Sequence, residues 1–364
     1  MVAVLTALAV VFGLTGVGAG AASAASVASV ATVTVIHPGA DVLAALQALR
    51  AGDTLELAPG TYNTGLIRAI GMANGTPTAP ITVTAQVPSS PPVLVGGLWL
   101  YSPTYLVLSH LRVQATAATE SALYVEGGLG WTVDSSEFWG ARQTNSYANV
   151  VITGTGGYPR GFTFSQNCVH DAAQSNRTST TDHNLYVNFA GSAQTSGLID
   201  RNTMWNAPHG ENIKLGNGGL PGALGPWNVR VVANTLALGG RQLLLHGDVR
   251  GNTVVGNLFY DPTAGFVSNP QTTQIYIHDV VGGGNSFAGN YSSVASMFIY
   301  DPAHAVALGA GNVTGPDPAF AAPFTCGGWQ PTNPASIGYG HWGYASLTPP
   351  RVPGPERRTG PFWR

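Results

Sequence analysis

One short pattern returns along most of this chain and constrains the fold more than any other feature. A segment centred on asparagine occurs in five copies, 23 to 35 residues apart, at Asn167, Asn202, Asn234, Asn257 and Asn290. This spacing is typical of solenoids, in which each repeat forms one rung. Equivalent side chains then lie above one another, and a column of asparagines can hydrogen-bond along the stack at a turn. The pattern predicts an asparagine ladder in a solenoid.

A second repeated segment follows the first, as in "HNLYVNF", "ENIKLGN" and "TQIYIHD". Successive side chains of a strand face opposite sides, so the alternate positions that carry apolar residues are predicted to face the interior. We predict two interior columns: Leu123, Leu185, Ile213, Leu243, Ile275 and Phe298, then Val125, Val187, Leu215, Leu245, Ile277 and Tyr300. The outer face is predicted to carry Tyr124, Tyr186, Lys214, Leu244 and Tyr276, with Asn188, His246 and His278 beside them and Asn184, Asn212, Gln242 and Gln274 before them.

Composition supports an all-β fold. The chain has 48 glycines and 25 prolines, is 44% hydrophobic and only 9% charged, which indicates many short strands and turns and excludes a disordered chain. With a net charge of −2 and no basic stripe, nucleic acid is not an expected partner. Residues 41–50 predict a short amphipathic capping helix. We predict one β-helix domain over residues 30–320 and a C-terminal segment rich in Pro, Gly and aromatics over 321–364.

The first 25 residues have the features of a signal peptide: an apolar run, then small residues at Ala22-Ser23-Ala24. The alternative is a transmembrane anchor. We expect a secreted, extracellular monomer with no membrane span after signal removal. The two cysteines, Cys168 and Cys326, either form a disulfide that ties the C-terminal segment to the body or leave Cys168 buried and unpaired.

The opening segments "AGDTLELAPGTY", "GTPTAPITVTAQ" and "VLVGGLWLYSPTYLVLSHLRV" resemble right-handed parallel β-helix proteins of the pectate-lyase-like superfamily. Within it, they are most similar to polysaccharide lyases of the chondroitinase B and alginate lyase type. The resemblance covers residues 33 to about 318. It implies a right-handed parallel β-helix with an N-terminal helical cap, and a polysaccharide bound along the outer face of one sheet. A fold of this kind hosts many chemistries, so the resemblance by itself does not identify the site.

Lys214 is the only lysine of the chain. A desolvated lysine can give up its proton, which arginine does not do. Cleavage of a uronate by β-elimination needs a base, an acid and neutralisation of the carboxylate. We predict that the catalytic residues come from Lys214, Tyr186, His209, His246 and His183. We predict that Asn184, Asn188, Asn212, Tyr124, Tyr276, His278 and Arg241 bind substrate.

The lyase family also pairs an acidic metal ligand with a downstream lysine and an arginine near a His-Gly-Asp stretch. Glu211 and Lys214 follow that order here, and His246-Gly247-Asp248 is present. In this chain Leu245, and not an arginine, comes directly before His246-Gly247-Asp248. Either Arg241 or Arg250 is therefore the substitute for the family's arginine. Glu211 and Asp182 are predicted to hold a Ca²⁺ ion that bridges the substrate carboxylate.

Two other functions stay open at this stage. A glycoside hydrolase would use Asp171 or Asp182 with Glu211, because it needs two carboxylates across the sugar bond. A non-catalytic β-helix would only hold glycan on the polar strip. Asp182 also fits an ordinary capped turn.

Overall fold

The computed structural model describes residues 31–116, 121–141, 148–154, 157–172, 182–217, 225–263 and 272–343. The predicted signal peptide and the end of the C-terminal segment lie outside these residues. The helices are α1 (Val42–Ala48) and α2 (Gly340–Gly343). Asp41 caps α1, since its carboxylate accepts a hydrogen bond from the Ala44 amide at 3.0 Å. The predicted capping helix is confirmed.

The first half of the fold contains these strands: β1 Val33–Ile36, β2 Thr54–Leu57, β3 Thr61–Ala69, β4 Ile81–Ala85, β5 Val93–Tyr101, β6 Leu106–Ser109, β7 Arg112–Gln114, β8 Leu123–Glu126, β9 Thr132–Asp134, β10 Glu137–Trp139, β11 Val150–Thr153, β12 Arg160–Ser165 and β13 Cys168–His170. The second half contains β14 Leu185–Asn188, β15 Ser196–Asp200, β16 Thr203–Leu215, β17 Val229–Val232, β18 Thr235–His246, β19 Thr253–Val255, β20 Leu258–Tyr260, β21 Thr273–His278, β22 Ser286–Ala288, β23 Tyr291–Ser293, β24 Met297–Tyr300, β25 Ala307–Leu308 and β26 Val313–Gly315.

These strands form a parallel β-helix. Within the described residues, one sheet has 11 strands in the order β1-β2-β4-β6-β9-β12-β15-β17-β19-β22-β25, and a second sheet has 15 strands. In the second sheet the long strands β5, β16 and β18 each pair with short strands of two different strips. One strip contains β7, β10 and β13, and the other contains β8, β11 and β14. The predicted all-β, right-handed parallel β-helix with an N-terminal helix is confirmed.

The interior is filled by the predicted apolar columns. Leu123, Leu185 and Ile213 are fully buried, and Val125, Val187 and Leu215 form the parallel column two residues on. The register of the last rung corrects two predictions. Ile275 pairs with Ile299 and Tyr276 pairs with Tyr300, so Ile299 continues the interior column and Tyr300 faces outward. Phe298 and Tyr300 were therefore each assigned one residue out of register.

The predicted asparagine ladder is confirmed. Each side-chain amide from Asn167 to Asn290 donates to the carboxamide oxygen of the next rung, at 2.9 to 3.1 Å, and Asn312 extends the column. All members up to Asn290 are fully buried. Buried amides are expensive unless they are hydrogen-bonded, so the ladder fixes the stacking register of the rungs.

A second ladder corrects the placement of the amides that precede Lys214 and its equivalents. Asn149, Asn184, Asn212 and Gln242 are fully buried, and their side chains bond in sequence at 2.8, 2.6 and 2.5 Å. The predicted substrate-binding role of Asn184 and Asn212 is therefore wrong, because neither side chain reaches the outer face. They stabilise the turn that enters the strand.

The C-terminal segment covers part of the solenoid after β26. Cys326 forms a disulfide with Cys168, which confirms the pairing alternative. Trp329 is fully buried, and its ring lies 5.6 Å from that of Trp205. Among the residues that the structure describes, no helix has the length and apolar character needed to cross a membrane.

Candidate functional site

An outward column of side chains crosses nine neighbouring strands of the second sheet. We call it the Lys214 surface and define it by residues that pair rung to rung: Arg68, Trp99, Tyr124, Val151, Tyr186, Lys214, Leu244, Tyr276 and Tyr300. Strands lie about 4.8 Å apart, so eight steps extend over about 38 Å. The predicted outward direction of Lys214, Tyr124, Tyr186 and Tyr276 is confirmed.

Aromatic rings and two cations lie close together along this surface. The Arg68 guanidinium lies 4.5 Å from the centre of the Trp99 ring, and Trp99 lies 4.7 Å from Tyr124. Nearer the middle, the Lys214 ammonium lies 4.9 Å from the centre of the Tyr186 ring. Such rings offer flat apolar faces with polar tips, and the cations lie within cation–π distance. The surface can therefore stack against sugar rings and attract anionic groups.

A buried ionic column runs directly beside Lys214. His183, Glu211 and Arg241 occupy equivalent positions on three successive rungs, three residues before Tyr186, Lys214 and Leu244. Glu211 is fully buried; one carboxylate oxygen is ion-paired with Arg241, and the other lies 2.8 Å from Nδ1 of His183. Because a buried carboxylate is costly unless paired, Glu211 depends on both neighbours.

The protonation of this column follows from its contacts. Burial alone would raise the pKa of Glu211, but the charges around it, Arg241 first among them, outweigh burial and hold that pKa at about 2. Burial lowers the pKa of His183, and the opposing effect of Glu211 does not restore it. At neutral pH the column therefore contains a carboxylate, a guanidinium and a neutral imidazole.

The pKa values of Lys214 and Tyr186 are shifted in opposite directions. Burial lowers the pKa of Lys214; Glu211 raises it, Arg241 lowers it, and the net shift is downward. Burial, with Glu211, raises the pKa of Tyr186 to about 12. A lysine with a lowered pKa suits a base, and a phenol that stays protonated suits an acid.

Two histidines form the next outward column. His246 pairs directly with His278 on the neighbouring strand, and Nδ1 of His278 lies 2.9 Å from Nε2 of His246. The Tyr276 ring stacks on His278 at 5.1 Å. Burial, His278 and Lys214 together lower the pKa of His246 to about 4. The predicted outward placement of His246, His278 and the half-buried Asn188 is confirmed.

Two residues with predicted roles are buried. Arg241 is 4% exposed and ion-paired with Glu211, while its guanidinium lies 4.5 Å from the centre of the Tyr276 ring. His183 is 2% exposed. Both side chains are buried against Glu211, which does not support direct contact with substrate; the substrate-binding role of Arg241 and the catalytic role of His183 stay predictions. Both act on the site by fixing Glu211.

The structure also decides between the two arginines. Arg241 pairs in register with Glu211 beside Lys214. Arg250 instead bonds Asp248 at 2.6 Å and lies 4.6 Å from the centre of the Trp227 ring. His209 lies partly buried on the stretch of β16 where pairing with β18 shifts register, between Ala207 and Glu211. Its catalytic role stays a prediction.

The predicted calcium ligands do not fit a calcium site. The Glu211 carboxylate is occupied by a guanidinium and an imidazole, and a divalent cation beside Arg241 would meet its positive charge. Asp182 is 1% exposed. We therefore assign no step to Ca²⁺ through these residues.

Three residues of the site were not predicted. Trp99 has the same outward parity as Tyr124, and the strand "GGLWLY" could have revealed it by alternation. Arg68 lies one rung further along, in a strand that breaks the apolar pattern. Asp279 follows His278 immediately, and only the fold shows that its carboxylate lies 3.9 Å from His246.

No protein-family model matches the chain, and no curated protein matches it. Among solved structures it is similar to pectate lyase Pel9A at 14% identity, with a TM-score of 0.44 over 78% of this chain and 80% of that one. An alginate lyase from Paenibacillus sp. str. FPU-7 is 15% identical, with a TM-score of 0.42; the match covers 78% of this chain and 99% of that chain. Alginate lyase AlyF-OU02, solved in complex with G6, is 15% identical, with a TM-score of 0.45; the match covers 78% of this chain and 63% of that chain. The strand pairing itself shows that the chain is a parallel β-helix, the fold that the sequence resemblance implies.

Proposed function

We propose that the chain is a secreted carbohydrate-active enzyme that cleaves a uronate-containing polysaccharide by β-elimination on the Lys214 surface. One observation carries the proposal: the only lysine of the chain lies partly buried on an outward aromatic column, beside a buried ion pair, with its pKa lowered. An ordinary solvated lysine would have neither the burial nor the aromatic neighbours.

The reaction assigns one proton transfer to each of two groups. The neutral amine of Lys214 takes the proton from C5 of the uronate, and the electron pair forms the C4–C5 double bond. The bond from C4 to the glycosidic oxygen breaks, and the Tyr186 hydroxyl gives its proton to that oxygen. The Lys214 ammonium lies 4.9 Å from the centre of the Tyr186 ring, so both groups can face one sugar unit.

The buried column supports this chemistry from behind. Arg241 offsets part of the charge of Glu211, so the carboxylate raises the pKa of Lys214 less than an unpaired carboxylate would. A lysine facing an unpaired carboxylate would have its pKa raised instead. Arg241 is thus a positioning residue that tunes the base, and the Glu211–Arg241 pair is a structural requirement of the site.

The hydrolase alternative has less support. Its acid would have to be protonated near neutral pH, whereas the pKa of Glu211 is about 2 and its side chain is buried. Asp171 faces another part of the molecule, where it contacts His170 at 2.8 Å and accepts a hydrogen bond from Asn206 at 2.5 Å. Glycan binding without cleavage is the remaining alternative.

The test is a screen of the purified protein against uronate-containing and neutral polysaccharides, with and without Ca²⁺, that follows both ultraviolet absorbance and reducing ends. We expect cleavage with a rise in ultraviolet absorbance, because β-elimination leaves an unsaturated sugar. Lys214→Ala should lower kcat by at least about 100-fold, the contribution of a positioned base. Lys214→Arg should be equally impaired, since arginine keeps the charge but does not release its proton.

The outcomes separate the alternatives. New reducing ends without absorbance would indicate a hydrolase. Binding that Lys214→Arg preserves, with no product from any substrate, would indicate a binding protein. Full activity in Lys214→Arg would exclude Lys214 as the base.

A further inference from the structure

A compact set of nitrogen and oxygen ligands lies at one end of the Lys214 surface. His246, His278 and Asp279 each present one ligand atom, and these atoms all lie within 4.8 Å of one another. The two histidines come from neighbouring strands in direct register. Asp279 follows the end of β21 in a left-handed backbone conformation, with φ of 49°, and is mostly exposed. The cluster thus combines two imidazoles in register with one exposed carboxylate.

The spacing of the imidazoles suits a shared metal ion. Nδ1 of His278 and Nε2 of His246 are 2.9 Å apart. With metal–nitrogen bonds of about 2.0–2.1 Å, that separation corresponds to an angle of about 90° at the metal. A tetrahedral ion needs about 3.3 Å between the nitrogens by the same geometry, so a small rotation of the more exposed His278 suffices. The Asp279 carboxylate lies 3.6 Å from Nε2 of His278 and 3.9 Å from Nε2 of His246.

A neighbouring ring limits how far the cluster can rearrange. The Tyr276 ring packs on His278 and narrows the range of orientations open to that imidazole. The site therefore has two ligand nitrogens at short range and a nearby negative charge.

We propose that His246, His278 and Asp279 bind a transition-metal ion of the Zn²⁺ type on the outer face of the β-helix, with its remaining coordination positions open to solvent. Imidazole ligands select zinc, copper and nickel over calcium, which prefers oxygen. Three protein ligands with an open position are typical of zinc sites that also bind a small ligand. The position beside the Lys214 surface would let the ion take an oxygen of a bound anion. The inference is independent of whether the protein cleaves polysaccharide.

The test is calorimetric titration of chelator-treated protein with ZnCl₂ and, separately, CaCl₂ at pH 7. We expect one Zn²⁺ to bind per chain and Ca²⁺ to give no saturable heat at this site. His278→Ala should weaken Zn²⁺ binding by about 100-fold or more, because loss of a direct ligand costs at least as much as loss of a supporting one. Asp279→Asn should weaken it by about 10-fold.

Controls keep the result specific. His304→Ala removes an exposed histidine outside the cluster and should bind Zn²⁺ like the wild type. Asp279 is exposed, so Asp279→Asn should unfold at the wild-type temperature and report on binding alone. The proposal is overturned if the wild type binds no Zn²⁺, or if His278→Ala and Asp279→Asn both bind it as tightly as the wild type. Neither result depends on any cleavage assay.

Discussion

Two outward surfaces of the same β-helix carry similar residues in different surroundings. The Lys214 surface lies on the strip of β8, β11 and β14. The other, which we call the His170 surface, lies on the strip of β7, β10 and β13 and contains Gln114, Trp139, His170, Trp205, Ala237 and Tyr260 in register. Each surface pairs an arginine with a tryptophan and places a histidine near carboxylates. They differ in what covers them and in how their histidines titrate.

The His170 surface is partly closed by the chain itself. His170 stacks on Trp205 at 4.4 Å, and Trp205 contacts Trp329 of the C-terminal segment. The disulfide between Cys168 and Cys326 ties that segment to the adjacent column. A surface covered in this way contributes to stability. On the Lys214 surface the rings of Trp99, Tyr124, Tyr186 and Tyr276 are half-buried, whereas Trp205 on the His170 surface is buried.

The histidines of the two surfaces have opposite pKa shifts. Burial would lower the pKa of His170, but Asp171 at 2.8 Å and Glu137 at 3.1 Å outweigh it and raise that pKa. Burial, His278 and Lys214 lower the pKa of His246 to about 4. Both histidines end an outward strand of the same sheet. Burial lowers the pKa of both histidines, so the carboxylates of Asp171 and Glu137 account for the opposite shift at His170.

The largest expected difference concerns the two arginine–glutamate pairs. Arg241→Ala should lower the free energy of unfolding by about 3–5 kcal/mol, because it leaves Glu211 buried without its main partner. Arg112→Ala should cost about 1 kcal/mol or less, because Arg112 is partly exposed and Glu137 keeps His170. Urea unfolding of both variants measures the difference. Equal losses would mean that the two pairs do not differ as their burial indicates.

Removal of the disulfide should affect only the closed surface. The Cys168→Ala/Cys326→Ala double variant should lose about 2–4 kcal/mol, since the bond closes a loop with a sequence separation of 158 residues. Trp205 and Trp329, both buried, should then show red-shifted fluorescence as the segment loosens. Binding of polysaccharide to the Lys214 surface should not change. A large loss of binding would show that the two surfaces are coupled.

Stability should depend on pH with opposite signs at the two surfaces. The contribution of His170 is fully present below pH 6.5, its ordinary pKa, and is lost as the pH rises through its raised folded-state pKa. The contribution of His246 is present above pH 6.5 and is lost as the pH falls towards about 4. His170→Gln should reduce the loss of stability above pH 6.5. His246→Gln should reduce the loss of stability below pH 6.5. Urea midpoints across pH 4 to 9, measured with chelator present, test both; the same slope change in both variants would contradict the comparison.

The smallest effect concerns two tryptophans that each lie under an arginine. Trp99 on the Lys214 surface has Arg68 at 4.5 Å, and Trp139 on the His170 surface has Arg112 at 5.2 Å. Trp99→Ala should weaken polysaccharide binding by about 2- to 10-fold, the equivalent of losing one aromatic contact of about 0.5–1.5 kcal/mol. Trp139→Ala should leave the dissociation constant unchanged. If Trp139→Ala weakens binding more, the polymer lies on the other surface.

The interior and the surface differed in how well alternation predicted them. Leu185, Ile213 and Val187 were placed correctly because strict alternation holds within a continuous strand. Asn184 and Asn212 were placed outside because alternation was extended one residue before Leu185 and Ile213, although Asn184 precedes β14 and Asn212 closely follows the register shift in β16. There the backbone changes direction, and the amides turn inward to bond along the stack. Where regular strand geometry is interrupted, side chains no longer alternate between two faces, so alternation does not predict their direction.

The buried ionic column shows the same limit more strongly. Glu211, Arg241 and His183 were predicted as metal, substrate and catalytic residues because each is polar and lies near Lys214. Their burial and mutual contacts depend on rungs 28 to 30 residues apart in sequence. No local sequence pattern predicts whether these three side chains face the interior or the outer surface. The one-residue shift at Ile299 has the same origin, since the register of the last rung depends on pairing with β21.

The sequence alone determined the solenoid, its asparagine ladder and the outward position of its single lysine, because each of these repeats with the strand period and needs only local geometry. The tertiary structure alone decided that Glu211 pairs with Arg241, that His246 meets His278 and that Cys168 reaches Cys326. These contacts join residues that are distant along the chain, and their energies depend on burial and on neighbouring charge. Both quantities exist only once the rungs are stacked.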